Sequence, residues 1–171
     1  MDLKRDKKLS ENEIKEFLEQ HIPYRYSAIK AWYDKIWLNT NVIDFKIVCF
    51  EAALLHSRLF IQFFGLGIKT NPLKLCANYG YSKRDNKIDE VKVIDLGGKF
   101  IELTKLKTNE TEVLAKVYYG ANKASAHLTY DSAHGMSLED LNYTIEIIER
   151  YLNKYLYDIV GIKLNKYTKK N

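Results

Sequence analysis

Apolar residues recur along most of this chain at steps of three and four, the spacing of one face of a helix. Ser10-Glu-Asn-Glu13 has the form of a capping box, and Ile14, Phe17, Leu18 and His21 follow it at helical spacing. Pro23 interrupts, and a second run carries Tyr26, Ile29, Trp32, Tyr33, Ile36 and Trp37. The pattern predicts a short helix, a kink at His21-Ile-Pro-Tyr24, and a longer helix to about Leu38. Asn39-Thr-Asn41 reads as a turn. From Val42 to about Leu66 the chain is apolar on nearly every side, the mark of a central helix touched by several neighbours, with Gly65 and Gly67 as its stop. A third long helix is expected from about Glu110 to Ser132, with a passage of small residues that includes Gly120 and ends near Gly135. Ser137-Leu-Glu-Asp140 opens the last helix, whose Leu138, Leu141, Ile145, Ile148, Leu152, Tyr155 and Ile159 form one seam before Gly161. On its exposed side Glu146 and Arg150 are placed as an i,i+4 pair.

Residues 68–107 break this rhythm. They hold Pro72, Gly80, Gly97 and Gly98 and two short apolar runs, Val91-Lys-Val-Ile94 and Lys99-Phe-Ile-Glu-Leu103, between which Gly97-Gly98 can turn a small hairpin. An unstructured loop of that length is unusual, so an ordered excursion draped on the helices is expected. The expected fold is therefore all-α: an up-down bundle of four to five helices with an irregular insertion at about 68–107. One domain spans 1–171, with frayed, solvated basic ends at 1–9 and 163–171.

Composition agrees with a packed core, since 46% of the 171 residues are hydrophobic and 13% aromatic. The net charge of +5 comes mainly from Lys, which steers phosphates less specifically than Arg does. The Val42–Leu66 stretch is interrupted by Lys46, Glu51, His56, Arg58 and Gln62, which argues against a membrane span. The first eight residues have no apolar h-region, so no signal peptide is expected and the cytoplasm is the expected compartment. Cys49 and Cys76 stand alone, so neither a disulfide, a metal site nor a cofactor is expected. Tyr118-Tyr119, Tyr143, Tyr151, Tyr155 and Tyr157, drawn from thirteen tyrosines, point to an interface face and hence a homodimer.

The chemistry-bearing residues concentrate in Ala121-Asn-Lys-Ala-Ser-Ala-His127-Leu-Thr-Tyr-Asp-Ser-Ala-His134. Helical steps put Lys123, His127, Tyr130 or Asp131, and His134 on one flank, where a carboxylate can fix the tautomer of an imidazole and raise its basicity. The same groups can equally hydrogen-bond across a helix crossing or cap the helix end. On the central helix Asp44, Glu51, Arg58 and Gln62 recur at seven, seven and four, either as a solvated stripe or as groups paired across the core. If that helix lies beside the third, Glu51 and Arg58 join Asn122 and His127 in one polar pocket, the usual place for a site in a bundle. His56 falls on another, more apolar face and reads as a core histidine.

An Asn followed by four residues and a His, late in a helical bundle, resembles the motif region of the HEPN superfamily. Those proteins are helical bundles, and many are ribonucleases of toxin, defence or RNA-processing systems. Two protomers commonly pair their copies of an Arg, polar residue, spacer, His motif. Here Asn122 and His127 match the polar residue and the His, while the Arg position falls on Ala121. The resemblance implies a homodimeric binding module for RNA or a partner protein rather than an enzyme, because the Arg would bind the scissile phosphate. The alternatives are a metal-independent ribonuclease using His127 as acid and base, with Arg58 or Lys123 as substitute cation, and a scaffold with no catalytic site. The phrases His-Ile-Pro-Tyr-Arg25 and Ala-His-Leu-Thr-Tyr130 also resemble those of bacterial helical proteins, a likeness that implies no activity.

Overall fold

The first helix begins as its sequence dictates. Ser10 Oγ accepts from the Glu13 amide at 3.3 Å while the Glu13 carboxylate accepts from the Ser10 amide at 2.7 Å. The structure, a computed structural model, describes residues 8–39, 43–80, 83–84, 87–88, 90–126 and 136–167. Helix α1 (Glu11–Glu16) passes through a wide π turn (Phe17–His21) directly into α2 (Ile22–Tyr33). Pro23 lies in the first turn of α2, where its missing N–H matters least. A widened turn therefore stands where the proline suggested a kink. Helix α2 stops five residues earlier than expected, at Tyr33, and a 3-10 turn covers Ile36–Asn39.

Helix α3 (Ile43–Phe63) is the central element. It packs against α2, against α4 (Thr108–Ala126) and against α5 (Leu138–Leu152). Its Cys49, Ala53, Leu54, Phe60 and Ile61 are buried together with Ile29 of α2, Leu114 and Val117 of α4, and Ile145 and Ile148 of α5. Burial raises the Cys49 thiol pKa, as expected of a small core residue.

The protein is mostly helical, but a two-stranded antiparallel hairpin follows α3 at once: β1 (Leu66–Thr70) pairs with β2 (Leu73–Ala77), Leu66 opposite Ala77. Gly67 is thus a strand residue and not a helix stop. The hairpin expected around Gly97-Gly98 is absent there: Val93–Leu96 and Leu103–Lys105 form 3-10 turns. A second strand pair is two residues long, β3 (Lys83–Arg84) with β4 (Lys87–Ile88).

The described parts of the excursion are tied to the helices because they satisfy carbonyls that α3 leaves open at its C-terminus. Asn78 donates its amide to Gly65 O at 2.7 Å and Ile101 donates to Phe64 O at 3.3 Å. Lys92, with no solvent-exposed surface, sends its Nζ to Gln62 O at 3.0 Å and to Asn78 O at 3.5 Å, and pairs with Glu90 Oε1 at 2.8 Å. One ammonium thus ties the end of α3, the hairpin exit and the following strand-like segment together.

Helix α5 begins with the expected Ser137–Asp140 capping box and continues through a second π turn (Asn153–Tyr157) into α6 (Asp158–Val160). A π turn lets a carbonyl leave the i→i−4 ladder, and both wide turns use theirs in tertiary contacts. Buried Tyr157 donates its hydroxyl to Leu18 O at 2.8 Å, and Lys99 donates its amide to Tyr155 O at 2.9 Å. Gly98 permits the second approach, since a Cβ there would lie 2.5 Å from Tyr155 O. Glu110, 3% exposed, accepts from the Lys107 amide at 3.0 Å, the Tyr151 hydroxyl at 2.9 Å and the Arg150 guanidinium. Arg150 therefore serves α4 and not the expected Glu146, which accepts from Tyr33 of α2 at 2.7 Å. The basic tail is also engaged as far as Tyr167: Lys166 pairs with Asp34 at 2.7 Å and the Tyr167 amide donates to Ser27 Oγ at 2.8 Å.

Candidate functional site

Helix α3 carries the candidate residues on one polar sector and on the face behind it. At 3.6 residues per turn, Ile47, Val48, Glu51, Leu55 and Arg58 fall within a sector of about 100°, and Gln62 shares it. The C-terminal part of this sector is covered by α4. Gln62 Nε2 donates to the Tyr118 hydroxyl at 2.8 Å, and the Arg58 guanidinium lies 5.7 Å from the Tyr118 ring centroid. Arg58 Nε is buried with no hydrogen-bond partner among the described residues. Its half-buried side chain is held by aromatic contact rather than by a carboxylate.

The N-terminal part is open. Ile47 is 51% exposed, Val48 56% and Leu55 38%, and Glu51 is exposed between them. Beside this stripe Trp37 stacks on Trp32 and carries Lys46 on its other contact, 4.7 Å from Nζ to ring centroid. That contact sets the turn holding the exposed Ile36 and Leu38 against the start of α3.

The expectation that α3 and α4 lie side by side is met, since Arg58 and Gln62 both reach Tyr118. Asn122, one turn beyond Tyr118, is half-buried, and Lys123 is half-buried with its Nζ 5.7 Å from the Tyr119 ring. Glu51 is two turns from Arg58 on the same helix, roughly 10 Å along the axis at 1.5 Å per residue, and projects into solvent. His127, Tyr130, Asp131 and His134 lie outside the described residues. So does the side chain of Asp44. The small-residue passage does what its composition suggested at Gly120, where a Cβ would lie 2.9 Å from Met136 Sδ: Met136 packs onto that glycine.

The tyrosines do not form an open face. Tyr118, Tyr151 and Tyr157 are buried, each with its hydroxyl hydrogen-bonded, and only Tyr119, Tyr143 and Tyr155 of the set are half-exposed. Three of the six tyrosines that suggested a dimer interface therefore belong to the core.

Behind α3, about 180° from Ile47, lies a second feature that periodicity alone did not disclose. His56 faces α2, its ring edge-on to Tyr24 at 6.2 Å, with Nδ1 buried and without a hydrogen-bond partner among the described residues. Burial and then the nearby Arg25 hold its pKa below the ordinary imidazole value, so it is neutral at pH 7. Arg25 Nη1 donates to His21 O at 3.2 Å. Arg25 also borders a cavity of about 280 Å3 between the first π turn, the last turns of α3 and Glu90-Val91. Arg25 stood in plain view in the His-Ile-Pro-Tyr-Arg25 phrase, and the signal for Lys92 was the lone cation inside Val91-Lys-Val-Ile94.

Among the described residues no group of three His, Cys, Asp or Glu side chains is placed to hold a metal ion, and no helix is long and apolar enough to cross a membrane. Compared with family models, curated proteins and solved structures, the chain matches none.

Proposed function

We propose that this chain is a binding module that docks a partner protein on the open half of α3. One observation carries the reading: among the described side chains, Ile47, Val48 and Leu55 are exposed in a single helical sector with the Glu51 carboxylate at its centre. Contiguous exposed apolar surface marks protein-binding faces, and the central charge selects among occupants. An RNA backbone is repelled by Glu51. A second copy of the chain, packed on this face about a two-fold axis, brings Glu51 against its own symmetry mate, a like-charge contact that is disfavoured. A helix or strand with apolar side chains around one Lys or Arg meets both requirements.

The HEPN-like, RNA-directed reading is the second proposal. It is favoured by the Lys123–Tyr119 pair beside Asn122 on α4, a cation with an aromatic face of the kind that holds single strands.

The test is a photo-crosslinking residue at Val48, with Lys154 on the last helix as the control position. The expected result is one protein captured at Val48 and not at Lys154. Its affinity for the purified chain should fall at least tenfold when Glu51→Lys and Leu55→Asp are combined. Single-stranded RNA bound with steep salt dependence and indifferent to both substitutions moves the function to the RNA reading. Cleavage of that RNA, lost in His127→Ala, makes the protein an enzyme.

A further inference from the structure

Of the guanidinium groups described, Arg150 is paired with Glu110 and Arg58 lies on Tyr118. Arg25 has the His21 carbonyl alone, and no carboxylate within ion-pair reach among the described residues. Its planar fork has donors left for a second acceptor. Arg25 borders a cavity whose other walls are largely apolar: Phe17 and Ile22 from the first helical run, Leu59 and Phe63 from α3, and Val91.

We infer that this cavity binds a small amphipathic monocarboxylate, with its carboxylate on Arg25 and its apolar body among Phe17, Ile22, Leu59 and Phe63. Charge fixes the ligand class. Glu90 also borders the cavity, but the buried Lys92 ammonium at 2.8 Å balances it. The site therefore has one uncompensated positive charge and suits one negative charge, not the two of a phosphate monoester. His56 behind Arg25 is neutral and adds none. Size narrows the class further. About 280 Å3 lies just below the lower edge of ordinary ligand pockets, roughly 300–1,000 Å3. That fits a compact acid better than a nucleotide or a lipid. The docking stripe is carried by Ile47–Leu55 and the cavity by the last turns of α3, so the two tests alter different residues and either proposal can fail while the other stands.

The experiment titrates the full chain with phenylacetate and with hexanoate, each against its primary amide, by calorimetry and by methyl NMR. At least one acid should bind ten times or more tighter than its amide, shifting the methyl signals of Ile22, Leu59 and Val91. Arg25→Met should erase the preference for the acid. Leu59→Trp, which fills the cavity while leaving Arg25 in place, should abolish binding of acid and amide alike. Melting curves establish that each variant folds, and the methyl shifts of the unsubstituted chain decide the matter should either variant unfold. Equal affinities for acid and amide, acid binding that persists in Leu59→Trp, or methyl shifts elsewhere in the fold would each overturn the assignment.

Discussion

Replacing Lys92 by Met tests how the excursion is held to the helices. The side chain keeps its length and apolar stem but loses the ammonium, which sits with no exposed surface against Gln62 O, Glu90 Oε1 and, at the limit of hydrogen-bond distance, Asn78 O. Removing one partner from a buried ion pair costs about 3–5 kcal/mol, and with Glu90 23% exposed the lower end, about 3 kcal/mol, applies here. The Gln62 carbonyl, at the end of α3, loses a donor at the same time. Against a total stability of about 5–15 kcal/mol that loss is large. For a chain of this length each kcal/mol moves the melting temperature by about 2–4 °C, so a drop of about 6–12 °C is expected. Thermal unfolding followed by circular dichroism measures it. Adding Glu90→Gln to Lys92→Met removes the carboxylate that faced the ammonium and should restore part of the loss, a positive coupling in a double-mutant cycle. A melting temperature unchanged by Lys92→Met would refute the view that this ammonium pins the excursion. A double variant no more stable than the single one would refute the ion-pair argument.

Three further outcomes follow from particular contacts. Gly98→Ala places a Cβ 2.5 Å from Tyr155 O and 2.6 Å from Val93 Cγ2, which should cost about 1–3 kcal/mol of overpacking in urea unfolding. Tyr151→Phe removes a hydrogen bond to the buried Glu110 carboxylate and should cost about 1.5–3 kcal/mol at pH 7. Burial pushes the Glu110 carboxyl up, but the Lys107 amide, the Tyr151 hydroxyl and Arg150 together outweigh it and hold it below the usual range. The stabilisation is therefore complete above the unfolded-chain value near pH 4.3 and lost as pH falls through the lower folded value, a decline that Tyr151→Phe should make shallower in acid titrations. His56 also weakens the fold in acid. Its folded pKa is depressed, so the unfolded chain takes up a proton first, near pH 6.5, and stability should fall from there toward the folded value. His56→Phe should flatten the urea midpoint between pH 7 and pH 5.

The helices were legible because each carries its own evidence. The Ser10 and Ser137 capping boxes and the central apolar run name their elements through local chemistry and spacing, and all three appear within a few residues of the expected bounds. Isolation of the two cysteines and the side-by-side placement of α3 and α4 were equally open to inference. Residues 68–107 were not. Leu66–Thr70 and Leu73–Ala77 are short, and their apolar residues merge with the end of the α3 pattern, while Val91–Ile94 alternates like a strand yet closes into a 3-10 turn because Lys92 is drawn inward to the end of α3.

Amino-acid order by itself thus determined where the long helices lie, since capping and periodicity are properties of neighbours within a few turns. It could not assign polar partners, because those depend on which surfaces meet. Arg150 is four residues from Glu146, as an exposed helical pair requires, but the approach of α4 gives it a buried carboxylate with two other donors. Six tyrosines concentrated on two helices look like an open face until packing turns Tyr118, Tyr151 and Tyr157 inward. Tertiary structure also decided that the stripe from Glu51 to Gln62 is divided, covered by Tyr118 at one end and open around Glu51 at the other, and that Arg25 borders a cavity built from three distant segments. Periodicity reports that a helix has a face, but only the neighbour that covers part of it determines which part is left to bind.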